Sequence, residues 1–82
     1  MKKSKNLKIE IYRDGKQVVK LAMPIFSATV LDTVIPAPVL SKLSERNINV
    51  QEIMEQMKSD NYAPRTLFKM EDENKSYNVW IE

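Results

Sequence analysis

Residues 7–23 read LKIEIYRDGKQVVKLAM, and this stretch decides the fold. Its first seven positions alternate between apolar and polar side chains, which is typical of a strand with one buried face. Asp14-Gly15 is a turn signal, and the alternation resumes after it. The stretch therefore predicts an antiparallel β-hairpin.

The register of this hairpin depends on the length of its turn. A two-residue turn places Ile9 opposite Lys20 and mixes the two faces. A three-residue loop, with Gly15 in the left-handed conformation, places Ile9 opposite Val19 and keeps apolar residues together. We therefore predict the three-residue loop, and we expect Pro24 to end the second strand because it has no backbone donor.

The middle of the chain carries apolar residues at helical spacing. We predict three helices, over residues 25–35, 38–46 and 50–58. Pro36 ends the first of them, and Pro38 suits the first turn of the second.

The helix ends have their own signals. Asn47 suits a left-handed residue at the end of the second helix, and Asn49 suits the N-cap of the third. In the first helix the spacing places Phe26, Val30 and Val34 on one apolar face, with Leu31 beside it. The β-branched content of that segment leaves a strand as the alternative.

The last part of the chain alternates like the first and predicts a second hairpin. A four-residue loop over 72–75 would place Phe68 opposite Val79 and Thr66 opposite Ile81. The loop is acidic and polar, as expected of a turn in solvent.

The element order is thus β-β-α-α-α-β-β, which indicates an α+β fold. We predict a four-stranded antiparallel sheet built from two hairpins, with the helices on one face. Residues 7–82 would form this single domain, preceded by a flexible basic leader over 1–6. The pattern leaves open which strands of the two hairpins are neighbours.

The composition argues against an enzyme. The 82 residues include no Cys, no His and a single Gly, so they lack thiol chemistry, the commonest metal ligand and a phosphate-cradling loop. The acidic run from Glu71 to Glu73 is best explained as a hydrated turn, because adjacent carboxylates outside a cleft repel each other. We expect no catalytic residues, metal, cofactor or small-molecule substrate.

The beginning of the chain does not resemble a secretory signal. Met1, Lys2 and Lys3 are followed by further charged residues rather than by an apolar segment. No apolar run approaches the length of about 18 residues that spans a bilayer. We expect no membrane span and a cytoplasmic location.

Basic residues are concentrated at one end, and residues 1–20 carry seven Lys and Arg against two acidic residues. A basic hairpin with an interleaved tyrosine is one way to bind nucleic acid. The candidate residues for this alternative are Lys3, Lys5, Lys8, Tyr12, Arg13, Lys16 and Lys20. The alternative explanation is a solvated tail and strand face.

The outer face of the sheet carries the other candidate site. If Phe68 and Val79 point inward, Leu67 and Trp80 point outward and lie opposite each other. Four residues therefore form a candidate protein-binding surface: Trp80, Leu67, Val18 and Ala22. Alternatively, Trp80 packs under a helix or over an arginine stem.

Three stretches resemble a small module of uncharacterised bacterial proteins. They are the hairpin ending in LAMP at 21–24, the link LSERNINV at 43–50 and the closing strand NVWIE at 78–82. The proteins that carry this module also have a SHOCT-like N-terminal segment, and some belong to envelope-stress responses. The chain departs from the pattern at Asn47, where the family favours Gly, and has no SHOCT-like helical segment.

The resemblance implies regulation or protein association and assigns no catalytic residue. Together with the outer face, it predicts a non-enzymatic interaction or regulatory module that forms a homodimer or binds another protein. Two alternatives stay open: nucleic-acid binding by the basic hairpin, and a small phage-encoded or mobile-element inhibitor of a host protein.

Overall fold

The computed structural model describes residues 3–82 and has the predicted α+β architecture. Its elements are β1 (Asn6–Arg13), β2 (Lys16–Pro24), a 3-10 helix (Ile25–Val30), α1 (Leu31–Val34), α2 (Ala37–Glu45), α3 (Val50–Ser59), β3 (Arg65–Asp72) and β4 (Lys75–Ile81). The strands form one antiparallel sheet in the order β2-β1-β4-β3. The first and last strands of the chain are therefore neighbours at the centre of the sheet.

The first hairpin has a two-residue turn, so the predicted three-residue loop is wrong. Asp14 and Gly15 form the turn with φ values of 52° and 78°, and Arg13 pairs with Lys16. The extra residue lies within β2 instead, because the register shifts between Ile11 and Tyr12 and skips one β2 residue. A β-bulge in the strand thus restores the apolar pairing that the two-residue turn alone would lose.

In that corrected register Ile9 lies opposite Leu21, and Ile11 lies opposite Val19. The residue left unpaired by the bulge is Val18. The same residues of the first hairpin point inward as the alternation predicts. Each β1 residue up to Ile11, however, faces a β2 residue two positions later than predicted.

The second hairpin also contains a bulge. Asp72 pairs with Lys75, so its turn has two residues rather than the predicted four. The predicted pairing of Phe68 with Val79 is confirmed. Beyond it the register shifts, and Thr66 lies opposite Trp80 instead of Ile81.

The turns of the two hairpins contact each other. The backbone N–H of Asp14 donates to the carbonyl of Asn74 at 2.8 Å, and the Asn74 side-chain amide donates to Asp14 Oδ1 at 3.1 Å. These bonds join the ends of β1 and β4 that lie farthest from the helices' attachment points.

The first predicted helix is real, but its apolar face differs from the prediction. Its first part is a 3-10 helix, which has three residues per turn, so Ile25, Ala28 and Leu31 share the inward face. Ala28 and Leu31 are buried, whereas Phe26 is 71% exposed. The prediction assumed an α-helical period and therefore wrongly placed Phe26 and Val30 on the inward face, whereas Leu31, predicted beside that face, is buried.

The predicted helix ends are confirmed. Asn47 has a φ of 60°, and the N–H of Ile48 bonds back to the carbonyl of Leu43 at 2.9 Å, which closes α2. Asn49 Oδ1 accepts from the N–H of Glu52 at 3.1 Å and caps α3.

The predicted flexible leader needs a correction at its end. The N–H of Ser4 donates to the carbonyl of Tyr62, and those of Lys5 and Asn6 donate to the carbonyl of Glu82. Ser4 is buried. The hydrogen-bonded domain therefore begins no later than Ser4, and not at residue 7 as predicted. Met1 and Lys2 of the predicted leader lie outside the described residues.

Helices and sheet share one buried cluster. The helical segments contribute Ala28, Leu31, Ile35, Leu43, Val50 and Met57, and the sheet contributes Leu7, Leu67, Phe68, Met70, Val79 and Ile81. The buried sheet residues lie on β1, β3 and β4, whereas β2 packs against the cluster only through the half-buried Met23.

Candidate docking surface on strand β2

Burial on the inner face of the sheet falls steadily from β3 to β2. One cross-strand row runs from Phe68 through Val79 and Ile9 to Leu21. Phe68 and Val79 are buried and Ile9 is half-buried, whereas Leu21 is 45% exposed. The helical layer therefore covers the β3–β4 side of this row and leaves the β2 side open.

A second row shows the same gradient. It runs from Met70 through Tyr77 and Ile11 to Val19. Met70 is buried, Tyr77 and Ile11 are half-buried, and Val19 is 36% exposed. Two independent rows thus place an open apolar area at the same side of the sheet.

The backbone of β2 also has an unpaired edge. Asn6 and Glu82 exchange two backbone hydrogen bonds, so the even-numbered residues of β1 bond to β4 and the odd-numbered ones bond to β2. Alternation then turns the backbone groups of Leu21 toward β1 and those of Lys20 and Ala22 away from it. Within residues 3–82 no strand lies on that outer side.

The β2 surface is this free edge together with the side chains of Val18, Val19 and Leu21. Val18, at the bulge, is 56% exposed. Long apolar edges invite pairing with another chain, and charged residues normally discourage it. Between Gln17 and Met23 the only charged residue of β2 is Lys20.

The predicted outer-face site is only partly present. Trp80 lies on the outer face as expected and is half-buried between Lys8 and Thr66. Leu67 is wrong as a surface residue, because it is 8% exposed and belongs to the core. The bulge at this position allows the consecutive residues Leu67 and Phe68 both to be buried, which simple alternation does not permit.

The other two predicted residues lie on β2. Ala22 is exposed and lies in the same cross-strand row as Trp80, but Lys8 separates them. Val18 is exposed at the bulge. The structure therefore replaces the predicted Trp80–Leu67 pair with an exposed apolar group on the β2 strand.

The basic residues do not form one uninterrupted patch. Lys8 Nζ lies 3.7 Å from Glu82 Oε1, and Lys3 Nζ lies 5.5 Å from the ring centroid of Tyr62. Glu10 lies among them and accepts hydrogen bonds from the Tyr12 hydroxyl at 3.3 Å and from Gln17 at 2.9 Å. The remaining candidates, Lys5, Arg13, Lys16 and Lys20, are exposed.

The acidic turn is tied to a helix by one of its members. Asp72 pairs with Lys42 and lies 3.5 Å from Arg46 Nη2, both on or next to α2. The hydrogen bond from Lys42 lowers the pKa of Asp72, and the same bond raises the pKa of Lys42. Among residues 3–82, no three acidic side chains converge as they would around a metal ion.

A surface cleft lies beside the link between α2 and α3. It has a volume of about 570 Å³, and its lining includes Asp32, Asn47 and Glu52. Gln51 Nε2 donates to Asp32 Oδ2 at 3.1 Å along its wall, so a polar bond already occupies those groups. The cleft offers polar groups at the start of a helix without a feature that selects a ligand.

None of the helices in residues 3–82 has both the length and the apolar content to cross a membrane by itself. The consecutive segments Ile25–Val34 and Ala37–Glu45 reach that length together, but they are bent by 82° at their junction.

Comparison with known protein families, characterised proteins and solved structures finds no match to this chain. The resemblance to the SHOCT-associated module stays a prediction. The geometry of the β2 surface is therefore the main ground for a functional proposal.

Proposed function

We propose that the chain is a non-enzymatic interaction module that docks to a protein through the β2 surface. The observation that carries this proposal is the burial gradient, which leaves Val19 and Leu21 exposed on the face that is otherwise the core. In strand addition, a strand of the partner pairs with a free sheet edge, and exposed apolar side chains lie beside that edge. The backbone supplies the hydrogen bonds, and the side chains select the partner.

This proposal moves the docking site away from the outer face. The outer face keeps Trp80, but its neighbours across the strands are the polar residues Lys8 and Thr66. A hot spot needs an apolar centre from which water is excluded. The β2 surface meets that requirement better, because Val18, Val19 and Leu21 follow one another along a single strand.

The test compares the two edges of the sheet. Wild-type chain, Leu21→Glu and the β3-edge control Lys69→Glu are immobilised and exposed to bacterial lysate and to the free chain itself. We expect the wild type and Lys69→Glu to retain the same protein, and Leu21→Glu to retain at least about tenfold less, since a charge cannot be buried unpaired. Equal retention by all three chains would contradict the proposal.

Nucleic-acid binding is the second candidate, and one observation favours it. A cleft on the outer face is lined by Lys8, Lys20 and Trp80, which combines positive charge with an aromatic ring. Glu10 and Glu82 line the same cleft and reduce its positive charge. Titration with single-stranded DNA and RNA at two salt concentrations tests this candidate, because phosphate binding must weaken steeply as salt rises.

A further inference from the structure

We infer that the partner of the β2 surface is a second copy of this chain, joined by antiparallel pairing of β2 with β2 about a two-fold axis at Leu21. This inference rests on the proposed docking function and specifies its partner. The two four-stranded sheets would then form one continuous sheet, with both helical layers on the same side.

The in-and-out pattern of β2 restricts how two copies can pair. Residues directly opposite each other in an antiparallel pair point to the same face. Inward residues of β2 must therefore meet inward residues of the second copy. Outside the bulge, this condition requires the two-fold axis to pass through a single residue. An axis at Ala22 or Met23 would place Pro24 inside the paired region, opposite Lys20 or Ala22, where its missing N–H would cost a hydrogen bond. The remaining candidates are Val19, Lys20 and Leu21.

Charge selects among these three registers. An axis at Lys20 places two lysines directly opposite each other, which is destabilising. An axis at Val19 places Lys20 opposite the bulge residue Val18, where the ladder is irregular. An axis at Leu21 places Lys20 opposite Ala22, so each ammonium faces a small, uncharged side chain.

The same register matches the inner face. Leu21 lies opposite Leu21 of the second copy, and Val19 lies opposite Met23. Leu21 and Val19 end the apolar rows that the helical layer leaves uncovered, and Met23 is half-buried beside them. Each copy thus supplies the lateral apolar neighbour that the inner face of the other copy lacks.

The free backbone groups match as well. The outward-facing N–H and C=O groups of β2 belong to Lys20 and Ala22, and the Leu21 register pairs these two residues with each other. Pro24, which has no N–H, lies opposite Val18 at the end of the paired region, where a missing donor matters least. Backbone, side chains and charge therefore favour one register.

Single cysteines test this register, because the natural sequence contains no Cys to interfere. At the axis, the two Leu21 Cα atoms form a non-hydrogen-bonded pair about 4.5 Å apart. That spacing is suited to a disulfide, which requires Cα atoms within about 7 Å. We expect Leu21→Cys to form a disulfide-linked dimer under mild oxidation.

The controls use neighbours on the same face. The two copies of Val19 would be about 13 Å apart, four residues along the strand. Val19→Cys alone and Met23→Cys alone should therefore not cross-link, whereas their mixture should give the mixed dimer. Cross-linking of Val19→Cys alone, or none by Leu21→Cys, would overturn the register.

A proline at the edge gives a second, independent measurement. Ala22→Pro removes one outward N–H of β2 without removing a bond to β1, and Lys69→Pro makes the matching change on the free edge of β3. In sedimentation velocity we expect wild type and Lys69→Pro to be dimers and Ala22→Pro to be a monomer of native circular dichroism. A monomeric wild type at every concentration tested would overturn the inference.

Salt distinguishes this dimer from nucleic-acid binding. The first 20 residues carry a net positive charge, so pairing two copies of β2 brings like charges together. Screening should then strengthen the dimer as salt rises, the opposite of phosphate binding. The wild-type chain could instead be monomeric and retain a different protein that Leu21→Glu does not retain. In that case a second copy is the wrong partner, and the docking function stands.

Discussion

Strands β2 and β3 are the two edges of one sheet, and their inner faces carry equally apolar residues. On β3, Leu67, Phe68 and Met70 are all buried, whereas on β2 Val19 and Leu21 are exposed. The sequence patterns of the two strands do not explain this difference. The difference lies in coverage: the helical segments run from the end of β2 to the start of β3, and the ion pairs of Asp72 with Lys42 and Arg46 fasten α2 to β3.

The comparison shows what alternation encodes and what it does not. Alternation predicts which side chains of a strand share a face, and it does so correctly for the inward residues of the first hairpin and for Phe68, Met70 and Val79 in the second. It fails at Thr66 and Leu67, where the β3 bulge reverses the two faces. It does not predict whether that face is covered. Coverage depends on the path of the helices and on the strand order, and no local pattern determines either of them.

The largest expected effect comes from comparing the truncation of a buried leucine, Leu7, with that of an exposed leucine on the β2 edge, Leu21. Leu7→Ala empties a fully buried site next to β4, and we expect the free energy of unfolding to fall by about 2–5 kcal/mol. Leu21→Ala should cost less than about 1 kcal/mol in the monomer, because its side chain is already partly hydrated. Urea unfolding followed by circular dichroism measures both values.

Protein concentration sharpens this comparison. At concentrations where the proposed dimer forms, Leu21→Ala should lower the free energy of unfolding by a further amount, since association stabilises the folded chain. This further loss should disappear on dilution. The cost of Leu7→Ala relative to wild type should stay near its core value on dilution. Equal losses for the two variants in dilute solution would mean that the inner face of β2 is covered after all.

A smaller effect separates the two hairpin turns. Gly15 has a φ of 78°, so Gly15→Ala should destabilise the first hairpin by about 1–2 kcal/mol. Glu73 has a φ of 54° in the second turn, and Glu73→Gly should relieve strain there and stabilise the chain by up to about 1 kcal/mol. Thermal melts of the two variants should therefore shift in opposite directions, and shifts of the same sign would contradict the assigned turns.

The cap of α3 tests the helical layer itself. Asn49→Ala removes the acceptor for the Glu52 N–H and should cost about 1 kcal/mol. Asn49→Asp, which keeps the acceptor, is the matched control and should stay near wild type. Hydrogen exchange of the first turn of α3 should rise in Asn49→Ala alone, and unchanged exchange would show that the cap is not formed.

Most of the fold was predictable from local chemistry. The element order follows from periodicity, and the ends of α2 and α3 follow from Asn47 and Asn49. The two bulges were not predictable, because a bulge changes the pairing without changing the alternation on either side of it. Leu67 shows the consequence, since one skipped residue moved it from the predicted surface to the core.

The candidate site was less predictable than the fold. The sequence indicates a protein-binding surface and includes Val18 and Ala22 in it, but it favours the face around Trp80. Val19 and Leu21 were missed because their alternation assigns them to the core. The one local signal was the low charge between Gln17 and Met23. Low charge indicates a docking edge only once β2 is known to be an edge strand.

The smallest expected effect is a pH dependence at the ion pair that fastens β3 to α2. The hydrogen bond from Lys42 lowers the pKa of Asp72 in the folded chain, so the carboxylate favours folding above its unfolded pKa of about 3.9. This contribution is lost as the pH falls through the lowered pKa. The pKa of Lys42 is raised, so its contribution is lost only as the pH rises above about 10.4 toward the folded value.

We therefore expect Asp72→Asn to melt slightly below wild type at neutral pH, and the difference in Tm to shrink below about pH 4. The effect should be small because the Lys42 side chain is 45% exposed, so solvent screens the pair. Glu71→Gln, on the neighbouring exposed position of β3, is the control and should leave the Tm of wild type unchanged. A Tm difference for Asp72→Asn that persists at the same size below pH 3 would mean that the side chain supports β3 through packing, and that the ion pair does not hold the covered half of the sheet to α2.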